Sequence, residues 1–330
     1  MPAVCPWSGV DVSDSVHRGL DWSAGVSEED PRHLALVGPT ASGKSAIALE
    51  VATALRDVEI VVVDSMQVYR GMDIGTAKPS AEEQAQVCHH LLDLVDPGAP
   101  WSVTDWVDAA RTAVAGIEGR GHRALLVGGT GLYFQALVDK LEPPGRYPEV
   151  IAALEGGGTP ALYKRLQQLD PLAAARIQPG NRRRILRALE VSIGAGRPFS
   201  SFGPGLGAYP PARWRIVGLW LPRAVVSVRI RLRLAAMVDA GLLEEVRSLT
   251  RRPGGLGRTA AQALGYRELL AHLAGTATLE EAVAEAARRT VAFARRQRVW
   301  WRRDPRITWY GTAENPLAVL PELLRNWKQP

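Results

Sequence analysis

Eight consecutive residues, Gly38-Pro39-Thr40-Ala41-Ser42-Gly43-Lys44-Ser45, are the part of this chain best equipped for chemistry. They satisfy the P-loop pattern, in which two glycines frame a turn that ends in Lys-Ser. Glycines let backbone N–H groups curl around phosphate oxygens, and a helix that starts where the turn ends adds positive potential. Lys44 supplies a mobile charge for the terminal phosphate, and the Ser45 hydroxyl is placed to help hold Mg²⁺. A chance match in a glycine-rich loop is the bland alternative. The flanks argue against it, because an apolar run precedes the turn and helical spacing comes after it. The pattern establishes polyphosphate binding and leaves open whether a phosphoryl group moves or a diphosphate leaves.

Three further groups point at the same chemistry. Asp64 closes a second apolar run, 60–63, and ligands gather at the carboxyl ends of strands in an open parallel sheet. An aspartate with an ordinary pKa of about 3.9 is ionised at neutral pH, ready to accept a proton or to order the P-loop Mg²⁺. Thr130 lies in Gly128-Gly129-Thr130-Gly131, where a third apolar run, 124–127, ends. On position alone a plain turn residue is a real reading of it. Arg229 and Arg233 are four apart on a predicted helix and so face the same way. A two-pronged guanidinium suits a diphosphate, and an ordinary solvated face is the other reading for Arg233.

To position these groups the chain needs a sheet. His33–Val37, 60–63, 124–127 and 214–221 are short apolar runs, and 45–55 has helical spacing at Ile47, Ala48, Val51 and Leu55. Strands of this kind separated by helices predict a parallel sheet covered on both faces, an α/β fold of P-loop NTPase type. Residues 32–145 and 213–330 form the expected catalytic core, with long helical patterns near 223–251 and 279–303. After Pro143-Pro144-Gly145 the character changes, and 146–212 reads as a mostly helical insertion. Residues 1–31, rich in Ser, Gly, Asp and Pro, read as a disordered tail.

Composition narrows the setting. In 330 residues, 40 Lys and Arg against 34 Asp and Glu give a net charge of +6, which favours polyanionic partners, nucleic acid first. Two cysteines, Cys5 and Cys88, exclude a disulfide framework and a four-cysteine zinc site, and they fit a reducing cytoplasm. Cys88-His89-His90 offers too few ligands for a metal centre. No stretch reaches the roughly 20 apolar residues of a spanning helix. No signal peptide is expected, and nothing in the sequence calls for an obligate protein partner.

The string beyond the P-loop is specific: Asp64-Ser65-Met66-Gln67-Val68-Tyr69-Arg70-Gly71-Met72-Asp73-Ile74-Gly75-Thr76-Ala77-Lys78-Pro79. It closely resembles the corresponding segment of the tRNA dimethylallyltransferases, the IPP transferase family. The likeness continues through His89-His90-Leu91-Leu92-Asp93-Leu94, Leu126-Val127-Gly128-Gly129-Thr130-Gly131-Leu132-Tyr133-Phe134 and Arg187-Ala188-Leu189-Glu190-Val191. It resumes at Gln262-Ala263-Leu264-Gly265-Tyr266-Arg267-Glu268 and Arg295-Arg296-Gln297-Arg298-Val299-Trp300. One departure stands out. Family members usually carry Pro-Asn-Asp-Pro-Gln-Arg before Arg-Ala-Leu-Glu, and here the run is Pro179-Gly180-Asn181-Arg182-Arg183-Arg184.

The resemblance implies attack by the exocyclic amine of the adenine at tRNA position 37, beside the anticodon, on the allylic carbon of dimethylallyl diphosphate. Diphosphate leaves and N6-dimethylallyladenosine forms. That amine is a poor nucleophile, and its proton turns acidic only as the C–N bond forms, so a carboxylate accepting it supplies roughly 10²–10⁴-fold. Asp64 is assigned as base and adenine anchor, Thr130 as a lining residue, and Arg229 as the diphosphate grip, with Arg233 beside it. The target base must be turned out of the anticodon loop, and Ser65, Met66 and Gln67 are expected to meet it.

For the rest of the anticodon stem-loop, Arg183, Arg184 and Arg187 form one basic patch, and Arg183-Arg184-Ile185-Leu186-Arg187 is taken as the contacting segment. In the last long helix Arg288/Arg289, Arg295/Arg296 and Arg302/Arg303 recur every seven residues as one stripe opposite Val283, Ala286, Phe293, Ala294 and Trp301. Two rival functions explain less of the chain. A small-molecule P-loop kinase would use the cradle and Asp64 but not the arginine stripe or the 64–79 string. An RNA-binding NTPase switch would leave Asp64 and Thr130 without a task. The P-loop invites an ATP-binding, nucleotide-binding label, and diphosphate is the ligand expected here.

Overall fold

The computed structural model describes residues 32–141, 143–203 and 205–328. The expectation for residues 1–31 lies outside them. The described chain forms two compact units, one of which is Asp139–Pro210. The helical unit therefore starts seven residues before the expected 146. The proline pair lies inside the unit, because Arg187 donates to the carbonyls of Pro144 and Gly145.

The larger unit begins β1 (His33–Val37), α1 (Lys44–Leu55), β2 (Val58–Val63), α2 (Ala81–Gln86), β3 (His89–His90), α3 (Val103–Gly119), β4 (Arg123–Gly128), α4 (Gly131–Val138). The smaller unit holds α5 (Pro148–Leu154), α6 (Thr159–Leu169), α7 (Pro171–Arg176) and α8 (Arg182–Gly194). The larger one resumes with β5 (Trp214–Trp220), α9 (Arg223–Asp239), α10 (Leu242–Arg251), α11 (Tyr266–Leu273), α12 (Leu279–Trp301), β6 (Thr308–Gly311) and α13 (Leu320–Lys328).

The six strands are parallel in the order β3-β2-β4-β1-β5-β6. Every residue of β1 and β2 is buried, as a sheet covered on both faces requires. Leu34, Leu36, Val62, Leu125 and Val217 pack with Ile47 and Val51 of α1 and with Leu323 and Trp327 of α13. Strand register fixes which loops meet. Val63 pairs with Gly128, and Gly128 with Val37, in one row across β2, β4 and β1. The next residue of each strand, Asp64, Gly129 and Gly38, therefore leaves the same carboxyl edge beside the others.

Helices α2 and α3 start at reciprocal capping boxes, Ser80 with Glu83 and Ser102 with Asp105. The periodic pattern near 223–251 is two helices rather than one. Gly241 sits at φ +100 between them, in the left-handed region that ends α9 and allows the chain to start α10 in a new direction.

At the amino edge of the sheet the Glu59 carboxylate accepts from Arg120 at 2.9 and 2.8 Å, from His122 at 2.8 Å and from His90 at 2.7 Å. Burial alone would raise its pKa, but these three partners hold it well below the ordinary carboxylate range. A depressed acid stabilises the fold above its unfolded pKa and loses that contribution as pH falls through the folded one. Glu59→Gln is expected to cost about 2–4 kcal/mol by leaving buried donors poorly paired. Urea unfolding at pH 7 and at about pH 3 checks this, the cost being smaller at the lower pH; an equal cost at both would show that ionisation is irrelevant.

The helical unit has its own core of Leu154, Leu162, Leu166, Ala173, Ala174, Ile177, Ile185, Ala188 and Leu189. Buried Asp170 caps α7 through Ala173 N–H and accepts from the amide and hydroxyl of Ser200. This core corrects the contacting segment. Ile185 is fully buried and Leu186 packs on the same core, so neither side chain is offered to RNA. Arg187 is committed to Pro144, Gly145 and Glu190. Arg183 and Arg184 are exposed. A helix that packs must bury one face, and a five-residue run necessarily crosses it.

Candidate active site

Three loops at the carboxyl edge build the site, and α9 and α12 brace it. In the P-loop, Gly38 and Pro39 are buried, Ala41 has φ +61 and Gly43 has φ +90, a path that brings the turn back to start α1. Ser42 and Lys44 are buried, whereas the Ser45 side chain, on the first turn of α1, is exposed. Lys44 Nζ donates to Pro39 O at 2.7 Å and lies 3.5 Å from Ser42 Oγ. Burial, helped by the Arg233 charge and opposed by Asp64, lowers its pKa to about 7.

Arg229 Nε donates to Ala41 O at 2.9 Å, and Arg233 reaches Thr40 Oγ1 at 2.7 Å. The predicted arginine pair thus grips the turn itself, both prongs from one face of α9. Arg233, like Arg229, is half-buried. Burial pulls its pKa down and the neighbouring Arg229 adds to this, with Asp64 opposing. The solvated reading of Arg233 is therefore set aside.

Asp64 directly succeeds β2. Its Oδ1 accepts from the amides of Met66 at 2.8 Å and Gln67 at 3.3 Å, which fixes the carboxylate against its own loop. Burial raises its pKa, and those two amides, Lys44 and Arg233 pull the other way. Thr130 lies between β4 and α4, its N–H 3.4 Å from Val63 O and its carbonyl accepting from Phe134. Asp64 and Thr130 thus flank the end of β2. Ser65 and Met66 are half-buried beside them. The Gln67 amide nitrogen donates to Thr76 O and Ala77 O, so that end of the side chain ties the loop rather than facing a partner.

The same loop is held from a second side by a residue that sequence reasoning missed. The Glu245 carboxylate on α10 accepts from the successive amides of Asp73, Ile74 and Gly75 at 2.9, 2.7 and 3.1 Å, and from Tyr266 at 2.6 Å. A second missed residue is Gln297. Its place between Ala294 and Trp301 on the packed face of α12 was a usable signal, because a buried amide must find partners.

The α12 stripe is altered too. Ala286, Ala294 and Trp301 are buried as expected, Val283 and Phe293 only partly, and Ala282, Gln297 and Arg298 complete the packed face. Arg288 pairs with Glu285 and Arg289 with Glu268, so the first third of the stripe is balanced by acids. Arg295, Arg296, Arg302 and Arg303 are exposed. Among the described residues no helix is long and apolar enough to cross a membrane.

The arrangement can bind a diphosphate on backbone amides, one lysine and two arginines, beside a carboxylate that is aimed and partly desolvated. Comparison with known proteins agrees in kind. The family model described as IPP transferase matches residues 67–304, and the one described as isopentenyl transferase matches 32–93. The tRNA dimethylallyltransferase of Salinispora tropica is 47% identical over 310 residues, covering 91% of this chain and 96% of the relative. The solved tRNA isopentenylpyrophosphate transferase of Bacillus halodurans is 36% identical with a TM-score of 0.66, covering 91% of this chain and 96% of that one. A eukaryotic dimethylallyltransferase acting on tRNA shares the fold at a TM-score of 0.72 and 22% identity, over 89% of this chain and 79% of that one.

Proposed function

The chain belongs to the IPP transferase family, and from that premise we propose that it transfers the dimethylallyl group of dimethylallyl diphosphate to the exocyclic amine of adenine 37 in tRNA. Diphosphate is released and N6-dimethylallyladenosine is formed. The observation that carries the reading is the row in the sheet that sets Asp64 and the Gly129-Thr130 turn beside the P-loop. A phosphate cradle after β1 and a proton acceptor after β2 then lie two strand spacings apart, on either side of β4, which leaves room for a whole diphosphate as leaving group.

In this reading the P-loop amides, Lys44, Arg229 and Arg233 take the diphosphate and its developing charge. Asp64 accepts the amine proton as the C–N bond forms. Thr130, on the next loop, lines the path of the incoming amine. The exposed Ser45 hydroxyl, one residue past Lys44 on α1, is a hard oxygen donor that fits a magnesium ion retaining most of its waters. Bound there with the diphosphate, the ion would add charge neutralisation to the leaving group.

Ser65 and Met66 border Asp64, where an extruded base would arrive. Arg183, Arg184 and the exposed arginines late in α12 supply charge for phosphates of the anticodon stem-loop. A tRNA substrate supports a cytoplasmic location for the enzyme. Replacing Arg183 and Arg184 together by alanine is expected to raise KM for tRNA about tenfold at low salt and to reduce the slope of log affinity against log salt by roughly 2. Filter binding across a salt series checks this; an unchanged slope removes both residues from the interface.

The direct test incubates the protein with radiolabelled dimethylallyl diphosphate, Mg²⁺ and unmodified tRNA, with nuclease digestion afterwards. Label in N6-dimethylallyladenosine, lost when position 37 is guanosine, supports the proposal. Label that persists with guanosine at 37 places the target elsewhere in the tRNA.

A further inference from the structure

We propose that Gln297 is a positioning residue that sets the spacing between the diphosphate-binding turn and the Thr130 turn. The proposal rests on the reading above, in which the first turn holds the donor and the second guides the acceptor. Gln297 projects from α12, is 7% exposed, and uses both ends of its amide at the carboxyl edge of the sheet. Its Oε1 accepts from Thr40 N–H at 2.8 Å, and its Nε2 donates to Gly129 O at 3.0 Å. One side chain is thus hydrogen-bonded to both turns. A buried amide paired at both ends favours a single geometry, because a shift leaves a polar group unsatisfied.

Several features make this strap more than an incidental contact. The amide it takes belongs to the turn that curls around phosphate, so Gln297 helps decide which N–H groups of that turn face inward. Arg229 and Arg233 hold the same turn from α9, which leaves α12 to fix its distance from the second turn. The approach at Gly129 is close enough that a Cβ there would lie 2.2 Å from Gln297 Nε2. The base of the strap is anchored independently. Arg298 donates to Leu221 O at 2.8 Å and stacks 3.5 Å over Trp220, and Trp301 meets Phe134 of α4 edge-on at 5.2 Å.

The test uses Gln297→Glu, Gln297→Ala, Gly129→Ala and the double variant Gln297→Ala/Gly129→Ala in the full-length protein, with steady-state kinetics in both substrates and melting curves. Gln297→Glu keeps the acceptor for Thr40 but sets a second acceptor against the Gly129 carbonyl. Each single variant is expected to lower kcat roughly 10- to 100-fold, the cost of misplacing reacting groups by about 1 Å. KM for dimethylallyl diphosphate and for tRNA should each move less than about threefold, the signature of lost transition-state geometry rather than lost binding. Gly129→Ala acts chiefly by displacing the Gln297 amide, its Cβ otherwise meeting Gly38 O at 3.3 Å, so in the Gln297→Ala background it should cost no more than about threefold further.

Values of kcat within twofold of wild type in all three single variants, a loss confined to KM for tRNA, or costs that multiply in the double variant would each overturn the proposal. The double variant separates positioning from simple destabilisation, because a general loss of folding gives additive effects. A Thr130→Ala variant run alongside separates this proposal from the reading beneath it. Full activity there sinks the role of the second turn, whereas loss there with an active Gln297→Glu sinks only the strap.

Discussion

Asp64→Asn is expected to lower kcat by about 10²–10⁴-fold, the usual contribution of a positioned general base, while leaving affinity for dimethylallyl diphosphate within about threefold. Asparagine keeps the acceptor that Met66 and Gln67 bind, so the loop holds its shape and only the proton sink is lost. The pH behaviour stems from burial. The pKa of Asp64 lies above the ordinary carboxylate range, and the base works only when ionised. Single-turnover rates should therefore fall as pH drops through that raised value, at a higher pH than an exposed aspartate would produce. The stability effect has the opposite sense. An acid with a raised folded pKa binds its proton more tightly when folded, so it costs stability as pH climbs through that pKa. The asparagine variant should melt no lower than wild type at pH 8, and the difference should shrink toward pH 5. A variant with at least a third of wild-type kcat would remove Asp64 from the role of base.

Lys44→Met should weaken binding of dimethylallyl diphosphate by about 100-fold, the scale of one strong charge-assisted contact. The lysine also makes binding consume a proton. Its ammonium donates to Pro39 O, and burial with a nearby Arg233 brings its pKa to about 7. A diphosphate replaces that carbonyl with negative oxygens and raises the pKa again. At pH 8, roughly nine-tenths of the unliganded protein carries a neutral Lys44, so binding should take up close to one proton, and much less at pH 6. Calorimetry in two buffers of different ionisation enthalpy reads that number directly, and the Lys44→Met variant should show none. Absence of uptake by wild type at pH 8 would mean that the lysine is already charged before the ligand arrives.

The site was legible in the sequence wherever chemistry depends on contiguous residues. The P-loop is a local object: its glycines, its lysine and the helix behind it adjoin in the chain, and they adjoin in space for the same reason. Asp64 and Thr130 were legible because each ends an apolar run, and strand ends in a parallel sheet are where ligands meet. The strand ranges 60–63 and 124–127 differ from the observed β2 and β4 by no more than two residues. Arg229 and Arg233 were legible as a pair because four residues make one turn of helix.

Features that depend on which face of a helix is covered did not read through. The charge pattern of 183–187 is basic, yet packing decides that Ile185 and Leu186 form core and that Arg187 clamps Pro144 and Gly145. The seven-residue arginine repeat is real, yet Glu285 and Glu268, one local and one from α11, neutralise its first pair.

By itself, then, the sequence determined the four central strands of the sheet, the phosphate turn and the carboxylate that follows β2, because propensity, periodicity and contiguity are local properties. Only the tertiary structure decided that Val63, Gly128 and Val37 share a row, and that Glu245 on α10 gathers three amides of the loop after Asp64. It alone decided that Gln297 ties together two turns, the nearer of them 168 residues away in sequence. These are long-range pairings of buried polar groups. They exist only once the chain has collapsed and excluded water, when an amide or a carboxylate must take whichever partner the packing brings within reach.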